Sequence, residues 1–568
     1  MARLLWTLAS SSWFLTLVSA AGTCKPLPGD KDWPSASQWA KLNSTIDGRL
    51  IATVPLPSVC HNGPIGTFNA DACTAVQSEW TDSTTFIYAP AEVMNPYFQN
   101  QSCDPFTSEY RPCLLDNYAS YSIKVTGASD VVAGLKFARE HNVRLVIKNT
   151  GHDFAGKSTG KGSLSLWMHN LNTTEIIPTY TSSYYTGAAA KLGAGVVAGN
   201  VYTTVSNAGY RILGGTCPSV GLAGGYTSGG GHSLLNSLYG MAADAVLEWE
   251  VITAAGEHLI ASPTTNTDLY WALTGGGAGN LAVVLSMTAK IFPEGPIGSA
   301  ALAINATDPN YWTAMEDLWT FLPTFVDEGP NTWAFVMAAS GFASLALTAP
   351  NKTADEVTTL LTPFLDTLDA NSVDYTFSPV SYPTYHAYFT TQIGSGLNID
   401  PANIQLTSRL IPRTVVQNTT QLDAVLSAMK AITDAEYWEI GCQALNVADT
   451  PRTAPNAVYS KWREAIANCN IVSYWDWDVE WSEMQKRKEL LVGTLIPGLE
   501  AATPTSGSYL NEIDAQYRGD WKRQLYAENY GKLLGLKGKY DPGHLFYAHF
   551  APGSEYYTVD SAGRLCTV

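Results

Sequence analysis

Three glycine-dense stretches between residues 148 and 280 constrain this chain more than any other feature. The first, Lys148-Asn149-Thr150-Gly151-His152-Asp153 with FAGKSTG behind it, directly follows RLVIK (144–148). That run of apolar and β-branched residues reads as a buried strand. The second extends from Gly214 to Ser233 and packs eight glycines between 214 and 231. The third, DLYWALTGGGAGN (268–280), opens into the apolar run NLAVVLSMTAKIF. Glycine loses more backbone freedom on folding than any other residue, so it weakens helices and strands. Such density marks places where the backbone takes positive φ or lies close to a ligand. A flexible linker would be glycine-rich too, but Cys217, Pro218 and Tyr226 between apolar flanks do not fit one. A strand that runs into a glycine turn can aim successive N–H groups at a phosphate or pyrophosphate. Three such segments close in sequence point to one elongated ligand, such as a dinucleotide. GAGVVAG (193–199) imitates a dinucleotide fingerprint, but its third glycine is one residue late and clean βαβ context is lacking. We reject a Rossmann site there.

The 568 residues exceed what one hydrophobic core holds, and 46% hydrophobic against 15% charged residues describes a globular chain. A net charge of −17 repels phosphate backbones and excludes nucleic acid as an expected partner. The first 20 residues read as a secretory signal peptide: Arg3, an apolar stretch interrupted by serines, then Val18-Ser19-Ala20. No later stretch has the ~20 apolar residues that cross a bilayer. N-x-S/T motifs at Asn43, Asn100, Asn172, Asn305, Asn351 and Asn418 behind that leader mark a glycosylated, extracellular protein. Nine cysteines cannot all pair. Cys217 stands alone in the second glycine stretch and is the expected odd one. Cys103–Cys113 and Cys442–Cys469 are plausible pairs by proximity. No H-E-x-x-H pattern or metal-type cysteine spacing occurs, so no metal is expected.

The chain divides into a leader (1–20), a Cys- and Pro-rich segment (21–115), a regular αβ region (116–297), a second domain (298–505) and a C-terminal segment (506–568). Ser129-Asp130 reads as a helix cap before VVAGLKFAREH. SLSLW (163–167), AVLEWEVIT (245–253) and NTWAFVMAA (331–339) read as strands, and AGNVYTTVSNAG (198–209) and TADEVTTLLTPFLDTL (353–368) as helices. Trp521–Lys539 reads as one helix that stops before Asp541-Pro542.

VIKNTGHDFAGKSTG, GGTCPSVGLAGGYTSGGGHS, DLYWALTGGGAGNLAVV and NYGKLLGLKGKYDPGHLFY (529–547), in this order, resemble the berberine-bridge-enzyme-like branch of the vanillyl-alcohol oxidase and p-cresol methylhydroxylase superfamily. The resemblance covers 116–297 and 506–553. It implies an α+β fold: a two-part FAD-binding domain plus an α+β substrate domain with an antiparallel sheet. It implies FAD held covalently, by His152 at the 8α-methyl carbon and Cys217 at C6. Imidazole and thiolate are suitable nucleophiles for those electrophilic positions. It also assigns Asn149, Thr150, Gly151, Asp153, Ser158, Pro218, Ser219, Val220, Gly221, Gly224, Gly225, Gly230, Gly231, His232, Gly279 and Asn280 to the cofactor.

Val220, three residues after the cysteine, resembles the oxygen-admitting residue of oxidases. The expected reaction is therefore oxidation of an alcohol, sugar or phenol with hydride passing to flavin N5 and then O2 yielding H2O2, by a monomer. A dehydrogenase or tailoring enzyme of secondary metabolism and a non-catalytic flavin-binding protein stay open. The chain departs from plant members in having Leu222-Ala223 where one residue is usual, and GGY and GGGHS for GGH and GGGYG. His232 thereby takes a position resembling an active-site tyrosine, as base, hydrogen-bond donor or structural histidine. Tyr526, Asn529 and Tyr530 are the other catalytic candidates, the two tyrosines four apart on one expected helix face.

Overall fold

The computed structural model describes residues 23–394 and 402–568. The expected leader (1–20) lies outside them. Three sheets of four or more strands organise the described residues, beside two small two-stranded ones.

The first sheet is mostly parallel. Leu50–Ala52 lies antiparallel to Tyr121–Lys124; Ser163–Trp167 pairs parallel with both Tyr121–Lys124 and Arg144–Lys148. Leu145, Leu164 and Leu166 bury one core here against the helix Ala128–Glu140. That helix begins earlier than Ser129-Asp130 implies. Gly127 is its N-cap, and Asp130, in the first turn, reaches back to accept from the Thr126 N–H and hydroxyl. Arg49 holds the same carboxylate at 2.6 Å. A first-turn carboxylate also complements the positive end of the helix dipole.

The second sheet is antiparallel, in the order Thr174–Thr181, Thr186–Gly193, Ala282–Lys290, Val246–Thr253, His258–Ala261. The rejected fingerprint begins at the last residue of its second strand, Gly193. A Cβ on Gly193 would lie 2.1 Å from the Leu171 carbonyl oxygen, and one on Gly195 2.2 Å from that of His169. These glycines serve backbone-to-backbone packing.

The third sheet has seven antiparallel strands: Tyr375–Tyr382, Ile297–Asn305, Gly341–Pro350, Thr332–Ala338, Glu439–Ala444, Ala465–Tyr474 and Ile404–Pro412. One face packs on the helices Tyr311–Asp327, Ala354–Ala370 and Thr419–Thr433 through Trp319, Trp333, Phe335 and Phe364. Register places Gln443 opposite Asn468 and Ser408 opposite Asn470, so these polar residues share the other face. The fold is α+β with an antiparallel sheet, as the resemblance implies.

Trp521–Lys539 is two helices, Trp521–Leu525 and Asn529–Tyr540, broken at Ala527 with φ 43°. The left-handed residue redirects the chain, so Tyr526 and Tyr530 do not share a helix face. The second helix ends at Tyr540 as expected, and Asp541 caps the turn beyond it by accepting from the Leu545 and Phe546 N–H groups.

Four disulfides join Cys24–Cys566, Cys60–Cys73, Cys103–Cys113 and Cys442–Cys469. Cys217 belongs to none of them and is buried.

Candidate active site

The glycine stretches converge on one cavity of about 250 Å³. The loop after Arg144–Lys148 contributes Asn149, Thr150, Gly151, His152, Asp153 and Ser158. The second stretch adds Cys217, Val220, Gly221, Gly224, Gly225 and His232; the third adds Gly277 and Gly279. Residues remote in sequence meet because the strand ends deliver each loop to the same place.

Several glycines there are required. Gly151, Gly277 and Gly279 have φ of 92°, 97° and 73°, a region that favours glycine. A side chain on Gly221 would strike the Asn149 amide nitrogen at 2.2 Å, while one on Gly224 would meet nothing within 4 Å. The wall at Gly224 and Gly225 is therefore bare backbone open to the cavity. Asn149 Oδ1 and Asn470 Oδ1 are buried there without a hydrogen-bond partner in the protein. Such groups call for a polar ligand. A large, partly polar cofactor lying along this wall fits.

Cys217-Pro218-Ser219-Val220 form a tight turn, closed by the Val220 N–H to the Cys217 carbonyl. Proline in the turn's second position pre-sets its φ. The turn is held from outside: the Gly199 N–H donates to the Pro218 carbonyl and the Ala198 N–H to that of Val220. The Ser219 hydroxyl lies 3.2 Å from Cys217 Sγ and 2.7 Å from His152 Nε2. Thus one hydroxyl joins the two expected tethers.

The cavity is also lined by His232. Its Nδ1 is 2.9 Å from Gln443 Oε1 and its Nε2 2.8 Å from Glu512 Oε1. Asn468 donates to the other Glu512 oxygen at 3.0 Å. Trp462 stacks over the imidazole and Tyr509 meets it edge-on. Burial alone would lower the His232 pKa, but the adjacent Glu512 carboxylate overrides it and the net shift is upward. Burial likewise pushes Glu512 up, yet His232 and the asparagine amides hold it below its ordinary value. Both shifts favour an imidazolium paired with a carboxylate.

Other expected site residues lie elsewhere. Pro218 and Ser219 support the cysteine turn without lining the cavity. Gly230 and Gly231 do not line it either: their carbonyls accept from the Ala243 and Ala242 N–H groups. Asn280 is buried between Pro552 and Lys537, donating to one and accepting from the other. Tyr526 is buried behind Gly277, Asn529 donates to the Ala457 carbonyl, and Tyr530 donates to Glu555. None of these three lines the cavity. The C-terminal segment reaches it earlier, through Tyr509, Asn511 and Glu512. Gly229 makes that approach possible, since a Cβ on it would strike Asn511 Oδ1 at 2.1 Å. Sequence reading missed Glu512 and Asn470. The usable signal was Asn468 and Asn470, two apart in a strand otherwise apolar and buried, which puts two carboxamides on one sheet face.

Residues 119–262 match the profile of the FAD binding domain family, and residues 508–551 that of the berberine and berberine-like family. The bifunctional decalin synthase calF of Penicillium decumbens is 60% identical over 553 residues, 96% of each chain. The VAO-type flavoprotein oxidase VAO615 of Thermothelomyces thermophilus is 46% identical over 550 residues, 96% of this chain and 95% of that one. This chain belongs to the VAO-type, berberine-bridge-like FAD-linked oxidoreductases. The crystal structure of the VAO-type flavoprotein MtVAO615 from Myceliophthora thermophila C1 superposes with a TM-score of 0.92 at 46% identity, covering 96% of this chain and all of that one. A glucooligosaccharide oxidase from Acremonium strictum, described with a 6-S-cysteinyl, 8α-N1-histidyl FAD, shares the fold at a TM-score of 0.68 and 17% identity, covering 85% of this chain and 99% of that one. The bare glycine wall and the His232–Glu512 pair face the same cavity.

Proposed function

We propose that this chain is a secreted, glycosylated flavoprotein oxidase, monomeric, holding FAD through both His152 and Cys217 and oxidising an alcohol, sugar or phenol. The observation that supports the reading is the largely buried His232–Glu512 pair in the wall of the cavity that His152 and Cys217 also line. Bound FAD supplies the hydride acceptor. Glu512 accepts the substrate hydroxyl proton and shares it with His232 Nε2. Gln443 and Asn468 hold the pair in register, and Tyr509 and Trp462 wall off the imidazole from water. A positioned base of this kind is worth roughly 10²–10⁴ in rate. Val220 lines the cavity beside Cys217, where oxygen would reach the flavin.

Likeness to a decalin synthase favours a second reading, in which the same chemistry serves a biosynthetic tailoring step on a less polar precursor. Peroxide release from a panel of alcohols, sugars, phenols and apolar allylic alcohols separates the two. Turnover with the first groups supports the oxidase; turnover with the last alone supports tailoring. A flavin that no substrate bleaches under anaerobic conditions would instead mean a binding protein.

A further inference from the structure

We infer that Ser219 is the positioning residue through which the two tethers act on one another, and that the Cys-rich N-terminal segment holds it in place. The inference rests on the bicovalent reading above. Ser219 is itself buried, and its hydroxyl touches three side chains: His152 Nε2 at 2.7 Å, Cys217 Sγ at 3.2 Å and Ser83 Oγ at 2.8 Å. Ser83 opens the short helix Ser83–Ile87 and donates to Ser219. With that donor occupying one lone pair, the Ser219 proton is directed at the imidazole or the sulfur.

The arrangement gives the Cys217 thiol a route to thiolate inside a buried site. Its proton passes to Ser219 Oγ as the Ser219 proton passes to His152 Nε2. A thiol is a poor nucleophile and an ordinary cysteine has a pKa of about 8.5, so an unassisted link would form slowly in acidic surroundings. Closing the link breaks the Cys217 S–H bond and the C6–H bond and forms the S–C bond. Two protons and two electrons leave, and molecular oxygen takes them up as hydrogen peroxide.

The test measures links, not turnover. Wild type, Ser219→Ala, Ser219→Thr and Ser83→Ala are produced as full chains. Each is incubated in air at pH 6 and pH 8, and the peptides containing His152 and Cys217 are weighed for flavin. Wild type should carry flavin on both at either pH. Ser219→Ala should keep it on His152, lose at least tenfold on Cys217 at pH 6, and recover at pH 8. Ser219→Thr, which keeps the hydroxyl, should restore the pH 6 value. Ser83→Ala should give a smaller loss of the same pH dependence, and stands in should Ser219→Ala fail to fold. Full Cys217 occupancy at pH 6 in Ser219→Ala, or in Ser83→Ala in its stead, would overturn the inference. Absence of flavin from Cys217 in wild type would instead sink the bicovalent reading on which it rests.

Discussion

The Gln443 carboxamide has both ends engaged: Nε2 donates to the Ser233 carbonyl at 2.8 Å and Oε1 faces His232 Nδ1. The Ser233 carbonyl can only accept, so it must face the Gln443 NH2; the amide cannot be turned round, and Nδ1, facing Oε1, must carry a proton. Nε2 is then the site that gains or loses one, against Glu512. The pair accepts a substrate proton only after losing its own, so kcat/KM should rise with pH through an apparent pKa above 6.5, the ordinary histidine value. Glu512→Gln should lower that pKa and cut kcat/KM about 100-fold; a steady-state pH profile measures both. Stability has a bounded window. The raised His232 pKa stabilises fully below about 6.5 and is lost as pH rises through the folded value; the lowered Glu512 pKa stabilises above about 4.3 and is lost as pH falls through its folded value. Between those limits the contribution is greatest, and a His232→Gln variant should lose the alkaline dependence of the thermal midpoint. At this scale Cys217 was legible from cysteine parity and isolation. Glu512 was not, because a lone carboxylate in a short loop has no periodic signature, and only the fold brings it to His232.

The buried strands announced themselves, since RLVIK, SLSLW and AVLEWEVIT carry their apolar pattern locally. The break at Ala527 did not: Leu525, Ala527 and Glu528 favour helix, and no glycine there signals the positive φ. The loop elements are held by buried polar pairs of a non-local kind. Arg463 makes two bonds, 2.7 and 2.8 Å, to Asp244, whose side chain is fully buried between the second glycine stretch and the seven-stranded sheet. Arg463→Met leaves that carboxylate with its amide donors alone. It should destabilise the protein by about 3 kcal/mol, read from denaturant unfolding.

At the scale of the whole molecule, the ends are stapled by Cys24–Cys566 and no helix among the described residues is long and apolar enough to cross a membrane. Asn100, Asn172, Asn305, Asn351 and Asn418 are exposed, whereas Asn43 is half-buried and its Oδ1 accepts from the Leu50 N–H. Enzymatic deglycosylation followed by peptide mass should therefore find glycans among the first five and none on Asn43. The overall design was readable because the glycine stretches and the C-terminal signature keep their order; the cavity's far wall came from sheet register, which only pairing reveals. The proposed enzyme carries a flavin fixed at both His152 and Cys217. The most direct measurement is to precipitate the purified protein in acid, read the pellet's visible absorbance and weigh the two peptides. A yellow pellet with flavin mass on both is the predicted result. A colourless pellet, with the colour left in the supernatant or in neither fraction, would contradict it.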